Sequence, residues 1–276
     1  MSWCAVDVRS PGDSREAVAS WLVERTGQAV EERDDGTLVG FSESQTSAER
    51  LVTELHEAFG GGVAGRTRPL PDIDWSARWK DGLGPRRIGR LTITPSWTAD
   101  RVPDPATVII DPESAFGTGE HGSTRAALIL LERHLRPGDR VIDLGSGSGI
   151  LAIAAVKLGA SQATGIEIDD EADPIASANA RRNGVEERVR FVTGDAAALA
   201  PLLGPVDLVI SNILRSVNIG LLPAIHSSLR PGGVAIFAGM EATERELFLP
   251  ALATAGFAAG DETVDETWWG VVGRRR

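Results

Sequence analysis

The chain has 276 residues, 42% of them hydrophobic, and a formal charge of −11, enough length and apolar content for two packed units. No stretch approaches the length of a membrane span and Met1-Ser2-Trp3-Cys4 opens no basic, apolar leader, so a soluble cytoplasmic protein is expected. The single cysteine, Cys4, excludes an internal disulfide, and His56, His121, His134 and His226 are scattered without metal-ligand spacing, so no metal is expected.

Residues 1–65 carry five Arg against twelve Asp or Glu, a net −7, and read as a small α+β unit. Residues 3–8 are predicted as a strand, and residues 14–26 as a helix with Ala17, Val18, Trp21 and Leu22 on one face. Residues 29–32 and 37–41 form a hairpin around Asp34-Asp35-Gly36, where glycine tolerates positive φ. Thr46 and Glu49 read as a capping box that opens a helix with Leu51, Val52, Leu55 and Phe59 inward; Gly60-Gly61-Gly62 stops it and a strand follows near Val63. The order β-α-β-β-α-β predicts a ferredoxin-like fold. So acidic a surface repels phosphate and steers a basic protein partner, so free nucleic acid is not expected as a substrate.

Residues 66–110 carry a net +3 and read as a linker and pre-domain segment hinged at Pro69 and Pro71. Asp74-Trp75-Ser76-Ala77-Arg78-Trp79-Lys80 is predicted as a short helix whose Trp75 and Trp79 pack at the domain junction. Residues 88–94 alternate as one strand, and Lys80, Arg86, Arg87 and Arg90 make a solvated basic face.

From residue 111 to 276, strands and helices alternate as in a doubly wound α/β sheet of seven mostly parallel strands. Helices are predicted at 123–135, 150–158, 173–183 (with Asp173 as N-cap before Pro174), 217–229 and 242–255. Strands are expected at 140–144, 163–167, 189–193, 206–210 and 234–238, then near 257–264 and 268–273. The first strand ends in Asp143-Leu144-Gly145-Ser146-Gly147-Ser148-Gly149, whose glycines let bare amides approach a ligand at a helix N-terminus. A dinucleotide fingerprint wants Gly or Ala where Ile150 stands, which argues against an NAD-dependent oxidoreductase. Glu167 ends the next strand, where a carboxylate can accept ribose hydroxyls. Asp195 ends the third, suited to an adenine amino group, to a helix cap, or to both, and Ser211-Asn212-Ile213-Leu214 follows the fourth. Open parallel sheets bind ligands outside these strand ends, so the four loops converge on one crevice.

The pattern D-x-G-x-G-x-G, with Leu229-Arg230-Pro231-Gly232-Gly233 before the fifth strand, resembles class I S-adenosylmethionine methyltransferases. Asp111-Pro112-Glu113-Ser114-Ala115-Phe116-Gly117-Thr118-Gly119-Glu120-His121-Gly122-Ser123-Thr124, the segment 74–80, Ser211-Asn212-Ile213-Leu214 and the terminal stretch from Trp268 to Arg274 together resemble the PrmA family, which methylates amino groups of the eleventh protein of the bacterial large ribosomal subunit. The resemblance implies S-adenosylmethionine as cofactor, with contacts at Thr124, Gly145, Glu167 and Asn212 and a loop of Phe116, Thr118 and Gly119 closing over it. Asp143, Gly147 and Asp195 complete the expected cofactor set. It also implies that the N-terminal unit recognises the ribosomal protein, here through its acidic surface. Gly122-Ser123 stands where the family commonly has Pro-Thr, Ser146 where it has Cys, and Glu167 where it has Asp.

Methyl transfer to an amine needs a neutral lone pair, and no histidine or paired acid is evident at the crevice to accept a proton. Desolvation and the adjacent sulfonium are expected to favour the neutral amine, with Asn212 aiming it as a positioning residue. Ser-Asn-Ile-Leu, lacking the Pro-Pro that follows Asn in enzymes acting on planar nitrogens, points to an aliphatic amine. A monomer is expected, and the alternative substrates are another protein lysine or a small amine.

Overall fold

The computed structural model describes residues 3–12, 14–28, 30–33, 35–70, 84–102, 104–111 and 119–276. It divides into two compact units, Met1–Gly82 and Leu83–Arg276.

In the first unit, β1 (Cys4–Arg9), β3 (Leu38–Ser42), β4 (Ala64–Pro69) and the two-residue β2 (Glu31–Glu32) form an antiparallel sheet in the order β2-β3-β1-β4. With α1 (Arg15–Thr26) and α2 (Gln45–Phe59) this is the ferredoxin-like order predicted from the sequence. Val6, Val8, Val18, Leu22, Leu38, Leu51 and Leu55 fill its core. Ala17 and Trp21 do not share the burial of Val18 and Leu22: Ala17 is exposed and Trp21 half-buried against Phe59. The cap of α2 is Ser44, whose hydroxyl accepts from the Ser47 amide at 3.1 Å, so the helix is capped two residues before the predicted Thr46. Pairing with β1 carries β4 through Arg66 and Arg68 to Pro69, so the stretch expected as linker begins as sheet.

The second unit opens with a three-stranded sheet of β5 (Arg86–Ile88), β6 (Leu91–Thr94) and β7 (Thr107–Ile109). The single strand predicted over 88–94 is broken by Gly89, at φ +58°, into an antiparallel hairpin. The expected solvated basic face is partly paired: Arg86 meets Glu120 at 2.7 Å and Arg90 meets Glu132 at 2.8 Å. Lys80, Trp75, Trp79 and the helix predicted around them lie outside the described residues.

The large sheet takes β8 (Arg140–Leu144), β9 (Gln162–Glu167), β10 (Val189–Thr193), β11 (Val206–Asn212), β12 (Leu229–Glu241), β13 (Phe257–Asp265) and β14 (Trp268–Arg275) in the order β10-β9-β8-β11-β12-β14-β13. β8 to β12 run parallel, and β14 enters antiparallel between β12 and β13. Strands covered on both faces need apolar residues at every position. Accordingly Val141, Leu208, Ile210 and Ile236 pack into one layer while Ile142, Leu144, Val209 and Phe237 pack into the other. The first layer takes α3 (Gly122–His134) and α4 (Ile150–Lys157), and the second takes α7 (Arg215–Ser228) and α8 (Arg245–Thr254).

Helix α5 (Ala172–Arg182) is capped at Glu171, not at Asp173; Asp173 lies inside the first turn and accepts from the Ser177 hydroxyl at 3.1 Å. The predicted strand 234–238 starts five residues earlier, because Arg230-Pro231-Gly232-Gly233 is a register shift inside β12 rather than a loop before it. Among the described residues no helix is long and apolar enough to cross a membrane.

Candidate active site

Four strand ends of the large sheet come together at one edge, and the glycine loop after β8 is their centre. Gly145, Gly147 and Gly149 adopt φ of +67°, +48° and +81°, conformations that other residues reach only with strain. Space excludes side chains as well: a Cβ on Gly145 would stand 2.6 Å from Ile213 Cγ2, and one on Gly149 2.5 Å from the Phe191 ring. The backbone therefore turns tightly into α4, with Gly149 at the N-cap.

Two acids flank this loop. The Glu167 carboxylate accepts from the Gly147 amide at 2.9 Å with Oε2 and from the Ile168 amide at 2.8 Å with Oε1. Asp143 is buried beneath the loop, and Oδ2 accepts from the Ala152 amide at 3.1 Å. Loss of water pushes the Asp143 carboxyl up to about 8, the Ala152 hydrogen bond opposes this, and the Glu167 charge adds to it. Asp143 Oδ1 and the buried Ser146 hydroxyl have no hydrogen-bond partner among the described residues.

At the end of β11 the Asn212 amide group Nδ2 donates to Thr124 Oγ1 at 3.3 Å, while Asn212 Oδ1 is buried and unpartnered among the described residues. Asn212 lines an open cavity of about 460 Å³ with His121, Ser123, Ile213, Leu214, Val217, Gly239 and Trp268. Most of that wall is carbon, and none of these side chains is a carboxylate. Because Ile213 also packs over Gly145, the cavity and the glycine loop share a wall.

The structure thus brings Asp143, Gly145, Gly147 and Glu167 together in one group and Thr124 with Asn212 in an adjoining one. Gly119, at φ +85°, lies against Ile93 and Ile150, the first residue of α4. Asp195 caps α6 (Ala196–Leu203), accepting from the Ala197 amide at 2.9 Å, one of the two roles the sequence left open. Phe116 and Thr118 lie outside the described residues. The expectation of a crevice without histidine is corrected: His121 lines the cavity, its Nδ1 2.7 Å from Ser123 Oγ. Trp268 and Gly239 were also missed as site residues. His121 and Trp268 do lie in two of the four segments that carried the family resemblance, but Gly239 offered no local signal.

A family model described as ribosomal protein L11 methyltransferase (PrmA) matches residues 7–276. The chain belongs to the ribosomal protein L11 methyltransferase family. A family member from Thermus thermophilus is 42% identical over 71% of this chain and 76% of that protein. One from Edwardsiella ictaluri is 33% identical with both chains covered in full. The crystal structure of a ribosomal protein L11 methylase from Lactobacillus delbrueckii subsp. bulgaricus superposes with a TM-score of 0.64 at 31% identity, covering 70% of this chain and 100% of that one. The family's cofactor is S-adenosylmethionine, and the residues present fit it: a glycine cradle that admits no Cβ, a strand-end carboxylate, and the unpartnered acceptors Asp143 Oδ1 and Asn212 Oδ1.

Proposed function

We propose that this chain transfers methyl groups from S-adenosylmethionine to amino groups of ribosomal protein L11. The observation that carries the reading is Asn212: its amide is pinned by Thr124, and its unpartnered oxygen lies beside a carbon-lined cavity that abuts the glycine loop. Glu167, Asp143, Gly145 and Gly147 would hold the cofactor, with Phe116, Thr118, Gly119, Thr124 and Asp195 contributing. When bound there, the cofactor supplies an electrophilic methyl on a sulfonium.

The chain's own residues supply orientation and dryness. A lysine ammonium costs roughly 4 to 5 kcal/mol to neutralise at pH 7, and an α-amine about 1 kcal/mol. The apolar side chains of Ile213, Leu214 and Val217 offer no hydrogen bonds to an ammonium, so the charged form is disfavoured once the entering amine displaces water from the open cavity, and the proton passes to solvent. Asn212 Oδ1 then accepts a remaining N–H and aims the lone pair, a positioning role and not that of a proton acceptor.

Residues 1–65, with their net −7, would take the basic ribosomal protein, so methylation should weaken as salt rises. We also infer a cytoplasmic monomer that leaves free nucleic acid alone, the last because the net −7 of residues 1–65 repels phosphate.

Intact mass of ribosomal protein L11 before and after incubation with the chain and S-adenosylmethionine tests the reading. Gains in steps of one methyl group, abolished by prior acetylation of its amines, support it. An unchanged mass alongside tight cofactor binding would overturn it.

A further inference from the structure

The cavity wall contributed by Trp268 is set by a device that the reaction itself does not require. Trp268 and Trp269 alternate along β14: Trp269 is buried in the sheet core, while Trp268 faces the cavity, its ring 4.2 Å from that of His121. The turn before it, Glu266-Thr267, holds Glu266 at φ +58°, a strained value for a residue other than glycine. Arg125, almost wholly buried, fixes that turn to α3. Its guanidinium donates to both Asp265 oxygens at 2.9 and 2.7 Å, to Glu266 at 2.8 Å, and to the Glu120 carbonyl. Gly122 completes the fit, since a Cβ there would stand 2.6 Å from Trp268 Cδ1 and 3.1 Å from the Asp265 carbonyl. The absence of a side chain at Gly122 thereby lets the indole settle against His121.

On the reading that the cavity takes the acceptor amine, we propose that Trp268 is a specificity-determining residue for methylation state, that its indole face binds the alkylated ammonium, and that Arg125 is the positioning residue that sets it. The unmodified ammonium is strongly hydrated and loses its hydrogen bonds in a carbon-lined cavity. Each transfer breaks the sulfonium C–S bond, forms an N–C bond and sends the amine proton to solvent, leaving a nitrogen with fewer N–H groups and a charge spread over methyls. An aromatic face is the partner for such a cation. The wall therefore favours amines that already carry a methyl, and the product ladder runs towards higher methylation.

Two experiments separate this inference from the proposed function. Calorimetry on the full chain loaded with S-adenosylhomocysteine compares an Nε-trimethyllysine amide with its neutral tert-butyl carbon isostere. The cation should bind about fivefold more tightly, and Trp268→Leu should erase the difference while Trp268→Phe keeps part of it. Equal affinity of the two probes for the wild-type chain overturns the proposal, whether or not ribosomal protein L11 is a substrate.

Where ribosomal protein L11 is methylated, intact-mass time courses give the ratio of the second to the first transfer rate. Trp268→Leu and Arg125→Met should each lower that ratio at least about fivefold, and Trp268→Phe should restore most of it. An unaltered ratio overturns the proposal, as does a loss of every step in parallel with cofactor affinity, which would mark a merely structural tryptophan.

Discussion

Asn212 and Thr124 stand 88 residues apart in sequence, and their side chains meet at 3.3 Å with Asn212 Nδ2 as donor. That one hydrogen bond decides which end of the carboxamide is left for a ligand. Thr124 is fully buried in the first turn of α3, and its own amide is tied to the His121 carbonyl at 3.1 Å. A rigid hydroxyl thereby keeps the carboxamide oxygen available as an acceptor. Thr124→Val retains the shape and removes the anchor, so kcat should fall about tenfold with little change in melting temperature, as expected for one lost hydrogen bond. Asn212→Ala should fall further, by about a hundredfold, while the protein stays folded by circular dichroism. Wild-type turnover in either variant would show that the amide does not aim the amine.

Glu167 makes a second prediction, because both of its oxygens accept from backbone amides, Gly147 on one side and Ile168 on the other. A carboxylate can satisfy both at once. The amide of Glu167→Gln has one acceptor and one donor, so one N–H would face an NH2 group and the loop would shift. Cofactor affinity measured by calorimetry should weaken about tenfold or more, one charge-assisted hydrogen bond's worth. Glu167→Asp keeps the charge and should lose less. Equal affinities for Gln and wild type would mean that the carboxylate serves only the loop.

The parts of the site legible in the sequence were those encoded locally. Three glycines after an apolar strand announce their own positive φ values, and acids at strand ends announce the crevice, because parallel-sheet topology then decides where they go. The illegible parts are contacts between distant segments. Trp268 reaches the cavity because β14 inserts beside β12, and nothing within residues 257–273 specifies that neighbour. Gly239 matters because Ile213, just past the end of β11, passes over it. Caps were each misplaced by two residues, at Ser44 and Glu171, where several polar residues in a row compete for one helix start.

Asp143 ties the site to pH. Folding raises its carboxyl from the ordinary 3.8 to about 8 by removing water, with Glu167 adding repulsion. Between those values the native chain holds a proton that the unfolded chain has lost, so the contribution of Asp143 to stability is complete below 3.8 and is lost as pH rises through about 8. Asp143→Asn keeps an acceptor for the Ala152 amide and carries no titrating proton. The melting temperature of cofactor-free wild type should therefore fall relative to the Asn variant as pH is raised from about 5 to about 8, by several degrees at roughly 2 to 4 °C per kcal/mol. Parallel melting curves across that range would show Asp143 to be solvated in solution.

Gly239 and Gly145 approach the same residue from opposite sides, and their variants should separate the two halves of the site. A Cβ on Gly239, at φ +81°, would stand 2.5 to 2.7 Å from the Ile213 backbone O, N and C atoms. Backbone cannot swing aside as a side chain can, so Gly239→Ala must move the chain that follows Asn212 directly. A Cβ on Gly145 meets only the Ile213 side-chain tip, yet φ +67° strains the loop whose amide neighbours Glu167. Overpacking of this kind costs about 1 to 3 kcal/mol. Gly239→Ala should lower kcat at least tenfold with cofactor affinity changed less than threefold, whereas Gly145→Ala should weaken cofactor binding first. Calorimetry with S-adenosylmethionine and turnover assays on both variants check the split. If Gly239→Ala turns over normally, the Ile213 backbone yields without moving Asn212, and the position of the carboxamide is set by Thr124 alone.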